Sequence, residues 1–273
     1  MKNRQIVDNI GRRMNFNRAK TRNILFFCIT FLFILWFPNA AQATWSITAV
    51  NPETGEVGIA GASCTYSVWG IAGVAPGKGV IVAQARSNMK AKRLGVKMLL
   101  EGANPKEVIK AITDPNFDPT FSSQQYGVAA FGFENDSRSY TGADVSDVKA
   151  EAQGYGVSVQ GNILPNTNVV IEALKAFELS LKNGKMSFAD SLIAALEAGA
   201  AAGGDRRCGK QKARSAFIIV ANPTDDKSSP YLNLKIKTYF VNPINLLRQM
   251  YDKWKKGRQQ FIECCRAKLI LQY

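Results

Sequence analysis

The chain has 273 residues, with 35 Lys and Arg against 21 Asp and Glu for a formal net charge of +14, and it contains no histidine. The missing imidazole excludes Ser-His-Asp and Cys-His catalysis, the His-based zinc proteases and any histidine general base. Five cysteines in this length are too few for a disulfide scaffold, and they lack the paired CxxC spacing of structural zinc, so no metal or other cofactor is expected.

Residues 1–43 read as a three-part secretory leader. Lys2, Arg4, Arg12, Arg13, Arg18, Lys20 and Arg22 form a basic stretch opposed only by Asp8. Ile24 to Phe37 is an uncharged Ile-, Leu- and Phe-rich run, shorter than the roughly 20 apolar residues that span a bilayer. Pro38 breaks any helix, and Ala41-Gln42-Ala43 supplies the small-x-small pattern of a signal peptidase site. Cleavage after Ala43 makes the protein exported, periplasmic or secreted, with Thr44 as its first residue; a retained N-terminal anchor is the alternative. The leader takes seven basic residues and one acid with it, leaving 28 basic against 20 acidic and a net charge of +8. That balance suits acidic envelope surfaces, whereas export argues against nucleic acid as a partner. About 230 remaining residues suffice for one sizeable domain, and a homo-oligomer stays open.

Thr44 to Val50 alternates, with Trp45, Ile47 and Ala49 on one face and Ser46 and Thr48 on the other; the Asn51-Pro52-Glu53-Thr54-Gly55 turn then returns the chain as a strand over Val57 to Ala62. Gly79 to Arg86 reads as a strand, followed by a helix from Asn88 to Glu101. A second helix opens at Asn104-Pro105-Lys106-Glu107, a capping Asn with Pro at the first position and Glu at the third. Further strands are expected over Tyr126 to Phe133 and Gly156 to Gln160, and helices over Val169 to Leu181 and from Ser187-Phe188-Ala189-Asp190 onward. The glycine-rich loop Gly203 to Lys212 leads to strands over Ser215 to Ala221 and Leu232 to Phe240. Hairpin-linked strands interrupted by two helix pairs predict an α+β fold, two antiparallel sheets stacked between helix pairs. From Pro243 the pattern becomes a basic helical tail, with Ile244, Leu247, Tyr251 and Trp254 on one face and Arg248, Lys253, Lys255, Lys256 and Arg258 on the other. Either this helix docks on the domain, or it makes a weak contact with an anionic envelope surface.

A terminal threonine combines a nucleophilic hydroxyl with its own α-amine, whose pKa of about 7.7–8.0 lets it accept a proton near neutral pH. No histidine is then needed. The segments TWSITAVNPETGEVGIAGAS, GVIVAQARSN, GYGVSVQGNIL and AAGGDRRCGKQKARSAFIIV stand in that order between Thr44 and Phe240. Together they resemble the DUF1028 family, proteins assigned to the N-terminal nucleophile (Ntn) hydrolase superfamily. The resemblance implies an αββα sandwich and hydrolysis of an amide bond by Thr44. Two departures stand out: extra residues after Asp205 (Cys208 and Lys212 to Arg214), and no histidine before VQGN, where many relatives carry one.

On that reading Thr44 attacks a carbonyl, and Asn162 donates to the oxyanion unless it merely serves a Gly-Asn turn. Asp205 either holds the α-amine or pairs with Arg206 or Arg207. Arg206, Arg207 and Gln211 are candidates to bind the substrate, as are Gln84 and Ser63 at strand ends. If Cys64 and Cys208 both border the site, a bridge between them is open, with free buried cysteines as the alternative; Cys264 and Cys265 have no assigned role. The expected function is cleavage of an amide or peptide-like bond in a small substrate, and the alternative is a non-catalytic envelope-binding protein with the same fold and basic tail.

Overall fold

The computed structural model describes residues 44–132 and 136–270. The leader expected over 1–43 and the side chains of Cys264 and Cys265 lie outside the described residues. Among the described residues, ten strands form two antiparallel sheets. The first has six strands in the order β10 (Leu232–Lys237), β9 (Ser215–Ala221), β2 (Val57–Ser63), β1 (Thr44–Val50), β8 (Val157–Asn162) and β7 (Ala150–Gly154). The second has four, β3 (Ala72–Ala75), β4 (Gly79–Ala85), β5 (Gln124–Ala130) and β6 (Ser137–Thr141). Helices α1 (Met89–Leu100) and α2 (Pro105–Ile112) cover the outer face of the smaller sheet. Helices α3 (Asn168–Lys182) and α4 (Phe188–Ala201) cover the larger, where the edge strand β10 and its neighbour β9 also carry α5 (Pro243–Ile270). The expected four-layer α+β sandwich is present.

Three of the helices, α1, α2 and α4, start where their capping chemistry dictates. Asn104 and Glu107 form a reciprocal capping box at α2, with Pro105 at the first helical position. Ser187 and Asp190 do the same at α4. Asn88 caps α1 by accepting from the amides of Lys90 and Ala91.

Strand alternation divides the apolar side chains among three cores. Trp45, Ile47, Ala60, Val159 and Ile218 point outward against Phe177, Leu192 and Leu196 of the helical layer. Val57, Ile59, Val80, Val82 and Phe217 meet between the sheets. Ile81, Ala83, Tyr126 and Val128 pack against Leu99, Val108 and Ile112. The polar face of β1 is not a solvent face, because all seven of its residues are buried and Ser46 faces the second sheet. The apolar stripe at the start of α5 (Ile244, Leu247 and Tyr251) belongs to the outer core, with Trp254 packed against it.

The basic face of α5 is partly engaged by the domain. Arg248 donates twice to Glu197, at 2.8 Å each, and lies 3.8 Å from Asp252; the Lys255 ammonium lies 2.6 Å from Asp190. Burial alone would raise the Asp190 carboxyl, but hydrogen bonds from Lys255 and Ser187 outweigh it and hold that group below the usual carboxylate range.

Candidate functional site

Thr44 is the first residue of β1, one of the two central strands of the six-stranded sheet, and its neighbours are set by register. It stands opposite Ser63 of β2 on one side and Asn162 of β8 on the other. Ser63 is opposite Ser215, which is opposite Lys237. Because partners across a sheet point to the same face, Lys237, Ser215, Ser63, Thr44 and Asn162 form one polar row along the end of the sheet. The row lies on the face turned toward the second sheet. Thr44, Ser63, Asn162 and Ser215 are all buried.

Beneath the row lies a buried network of amides and hydroxyls that joins the two sheets. Asn162 Nδ2 donates to Gln125 Oε1 at 2.9 Å, and Gln84 Nε2 donates to the same oxygen at 2.7 Å. Gln125 Nε2 donates to the Gly161 carbonyl at 3.0 Å and to Thr141 Oγ1 at 2.9 Å. Ser46 Oγ donates to Gln84 Oε1, and Gln160 Nε2 donates to Ser46 Oγ at 2.6 Å. Gly127 on β5 makes room for this layer: a Cβ there would stand 2.0 Å from Gln160 Oε1. Nothing local in the sequence separates Gln125 from Gln124 beside it. Only the β4–β5 register, which sets Gln125 opposite Gln84, turns it into the hub.

The glycine-rich loop closes the other flank. Cys64 and Cys208 form a disulfide, with Cα atoms 5.6 Å apart, that ties the end of β2 to this loop. Asp205, fully buried, accepts from the Cys64 amide at 2.6 Å and the Arg207 amide at 3.0 Å. The Arg207 guanidinium adds Nε and Nη2 at 3.1 and 2.9 Å. Four donors fill the four lone-pair positions of a carboxylate. Asp205 is therefore an anchor for Arg207 and β2.

Other sequence candidates have partners within the protein. Gln211 Nε2 donates to the carbonyls of Thr238 and Val241, bracing the segment after β10. Arg206 donates to the Asp147 carbonyl at 3.1 Å and is exposed. Gln84 is spent inside the network, both ends of its amide being bonded. Asn162 is a strand residue, and Ile163 makes the turn after it. The backbone marks this region as well. Ala85, Ile163 and Lys212 are the non-glycine residues with positive φ among those described, at 65°, 50° and 69°, and they follow Gln84, Asn162 and Gln211 directly. For the β-branched Ile163 this is a sparsely populated conformation, costing on the order of 1–3 kcal/mol, of the kind that collects at functional sites. Among the described residues no group of three or more His, Cys, Asp or Glu side chains is placed to hold a metal ion.

Two antiparallel sheets between helical layers, with a polar row closing one end of the larger sheet, define an α+β sandwich. The chain belongs to the DUF1028 family, a family of unknown function whose model matches residues 44–247. It is similar to the crystal structure of protein SPO2555 from Silicibacter pomeroyi, assigned to the same family, with a TM-score of 0.65 and 26% sequence identity over 77% of this chain and 88% of that one. No curated protein matches the chain.

Proposed function

We propose that this protein is exported, cut after Ala43, and acts as an N-terminal-threonine amidohydrolase on a small amide or peptide-like substrate. The observation that carries the reading is the position of Thr44. It opens a central strand between Ser63 and Asn162, above a buried amide network, and the family match begins at the same residue. The Cys64–Cys208 bridge adds support, since such bonds persist in oxidising compartments.

The chemistry needs only groups at this row. The Thr44 hydroxyl oxygen attacks the substrate carbonyl carbon while the α-amine takes the hydroxyl proton. The tetrahedral oxyanion calls for a neutral donor. An NH2 group carries two hydrogens, and the bond to Gln125 uses one of those on Asn162. Collapse expels the amine half of the substrate, which leaves with the proton held by the α-amine, and an ester to Thr44 remains. Water, deprotonated by the same amine, hydrolyses that ester to a carboxylate and restores the threonine. Gln125 acts here as a positioning residue, fixing the Asn162 amide, and Ser63 lines the opposite side. Arg207, oriented by Asp205, suits a carboxylate on the substrate.

The test uses the chain beginning at Thr44 with a β-lactone, whose ring a nucleophilic hydroxyl opens to leave an ester. An adduct on Thr44 is expected by intact and peptide mass, reduced but present in Thr44→Ser and absent in Thr44→Ala. In a panel of small N-acyl amino acids and dipeptides, turnover should follow the same order. It should also fall as pH drops below about 7, where the amine is protonated. Labelling and turnover in Thr44→Ala equal to the parent would sink the mechanism. A folded protein that takes no adduct at Thr44 would favour the non-catalytic envelope-binding reading.

A further inference from the structure

β10 ends at Lys237 and α5 begins at Pro243, and the five residues between them form a strap with an apolar tip. Its backbone is held by the loop that precedes β9. The Thr238 amide donates to the Arg214 carbonyl at 2.8 Å, and Gln211 Nε2 donates to the carbonyls of Thr238 and Val241 at 3.2 and 3.0 Å. What the strap presents is unusual for a chain with well-filled cores: Phe240 is 93% exposed, Tyr239 54% and Val241 49%. Tyr239 leans on the half-exposed Tyr66, with ring centroids 6.0 Å apart. A cluster of this kind, unlike scattered single residues, marks a contact surface.

The charges around it share one sign. The segments that meet here, residues 63–71, 205–215 and 233–242, carry Arg206, Arg207, Lys210, Lys212, Arg214, Lys235 and Lys237. Their one acid is Asp205, fully buried and paired with Arg207. Lys237 donates to the Tyr66 hydroxyl with its ammonium 4.0 Å from the ring centroid, and the Arg214 guanidinium stands 5.8 Å from the Tyr239 ring. Cations therefore sit around the rings and leave the Phe240 tip outermost.

We propose that this strap and the neighbouring loop are a peripheral docking surface for a bilayer containing anionic lipid. A bilayer offers both things the surface lacks, apolar depth for Phe240 and Val241 and negative headgroups for the surrounding Lys and Arg. A hydrophilic acidic polymer would meet the charges and leave the apolar tip in water. The basic tail begins beside the strap at Pro243 and runs toward the other end of β10. Trp254 packs on Tyr231, just before β10 begins, and Arg258 stacks on that ring at 4.3 Å. The strap lies at the end where Lys237 continues the row that holds Thr44, three strands or about 14 Å away. Docking would turn that row toward the headgroups, whatever chemistry Thr44 performs.

Cosedimentation of the chain starting at Thr44 with vesicles of phosphatidylglycerol and phosphatidylcholine tests this; both sheets and all three cores are built from Thr44 onward. Binding is expected to the mixed vesicles, not to phosphatidylcholine alone, and to decline as salt is raised. Phe240→Glu should weaken it by about tenfold or more while leaving the melting curve unchanged, since Phe240 touches water almost everywhere. Truncation after Gly257 should leave binding within about twofold, because α5 carries its backbone away from the strap and Arg258 stacks on Tyr231. Phe240→Trp should give a blue-shifted emission with the mixed vesicles. Unchanged binding by Phe240→Glu, loss of binding on tail truncation, or capture by a soluble polyanion such as polyphosphate without any vesicle binding would each overturn the proposal.

Discussion

Gln125 and Gly127 stand two residues apart on β5 and show what the interior asks of individual side chains. Gln125 accepts from two amides and donates to a hydroxyl and a carbonyl, so Gln125→Leu would strand several buried partners at once. Since each unsatisfied buried group costs about 1–3 kcal/mol, unfolding free energy should fall by roughly 2–4 kcal/mol in urea titrations. An unchanged midpoint would show that the network does not hold the sheets together. Gly127→Ala sets a methyl against the Gln160 amide and should destabilise comparably, because that amide is itself bonded to Ser46 and Ser158. Neither demand is visible locally in the sequence. The fully buried polar residues of β1 look like a solvent face until the second sheet is laid over them.

At the scale of elements, legibility followed burial. The helices and their caps could be read because each signal lies within one turn: Asn104 with Glu107, Ser187 with Asp190. The strands read correctly carry apolar residues on at least one face, as in Phe217-Ile218-Ile219-Val220 of β9. The three strands the sequence does not mark, β3, β6 and β7, are all sheet edges, short stretches (AGVA, SRSYT and AEAQG) with little apolar period. The expected strand through Phe240 stops at Lys237, where the strap begins. Thr44 and Asn162 could be proposed from the sequence, but their juxtaposition depends on pairing β1 with β8, more than 100 residues on. The contact between α4 and α5 carries its own prediction. The depressed Asp190 pKa contributes stability that is fully present above the unfolded value of 3.8 and is lost as pH falls through the lower folded value. Lys255→Met removes the ammonium and should move the acid-unfolding limb to higher pH. An unmoved limb would mean that the pair contributes nothing.

For the whole molecule, the Cys64–Cys208 bridge joins residues 144 positions apart and fastens the Asp205 loop to the strand beside Thr44. Replacing both cysteines by alanine should lower stability by about 2–5 kcal/mol, read as a shift in denaturant midpoint. Reductant should then have no further effect, and a reductant-insensitive parent would argue against the bridge. The loop, the strap and the polar row converge on one end of the larger sheet, and the chemistry proposed there requires a free amine on Thr44. N-terminal sequencing and intact mass of the protein recovered after export therefore bear most directly on the account. It predicts a chain lacking residues 1–43 that begins with an unblocked Thr44; an intact Met1, or a start at Trp45 or Ser46, would contradict it.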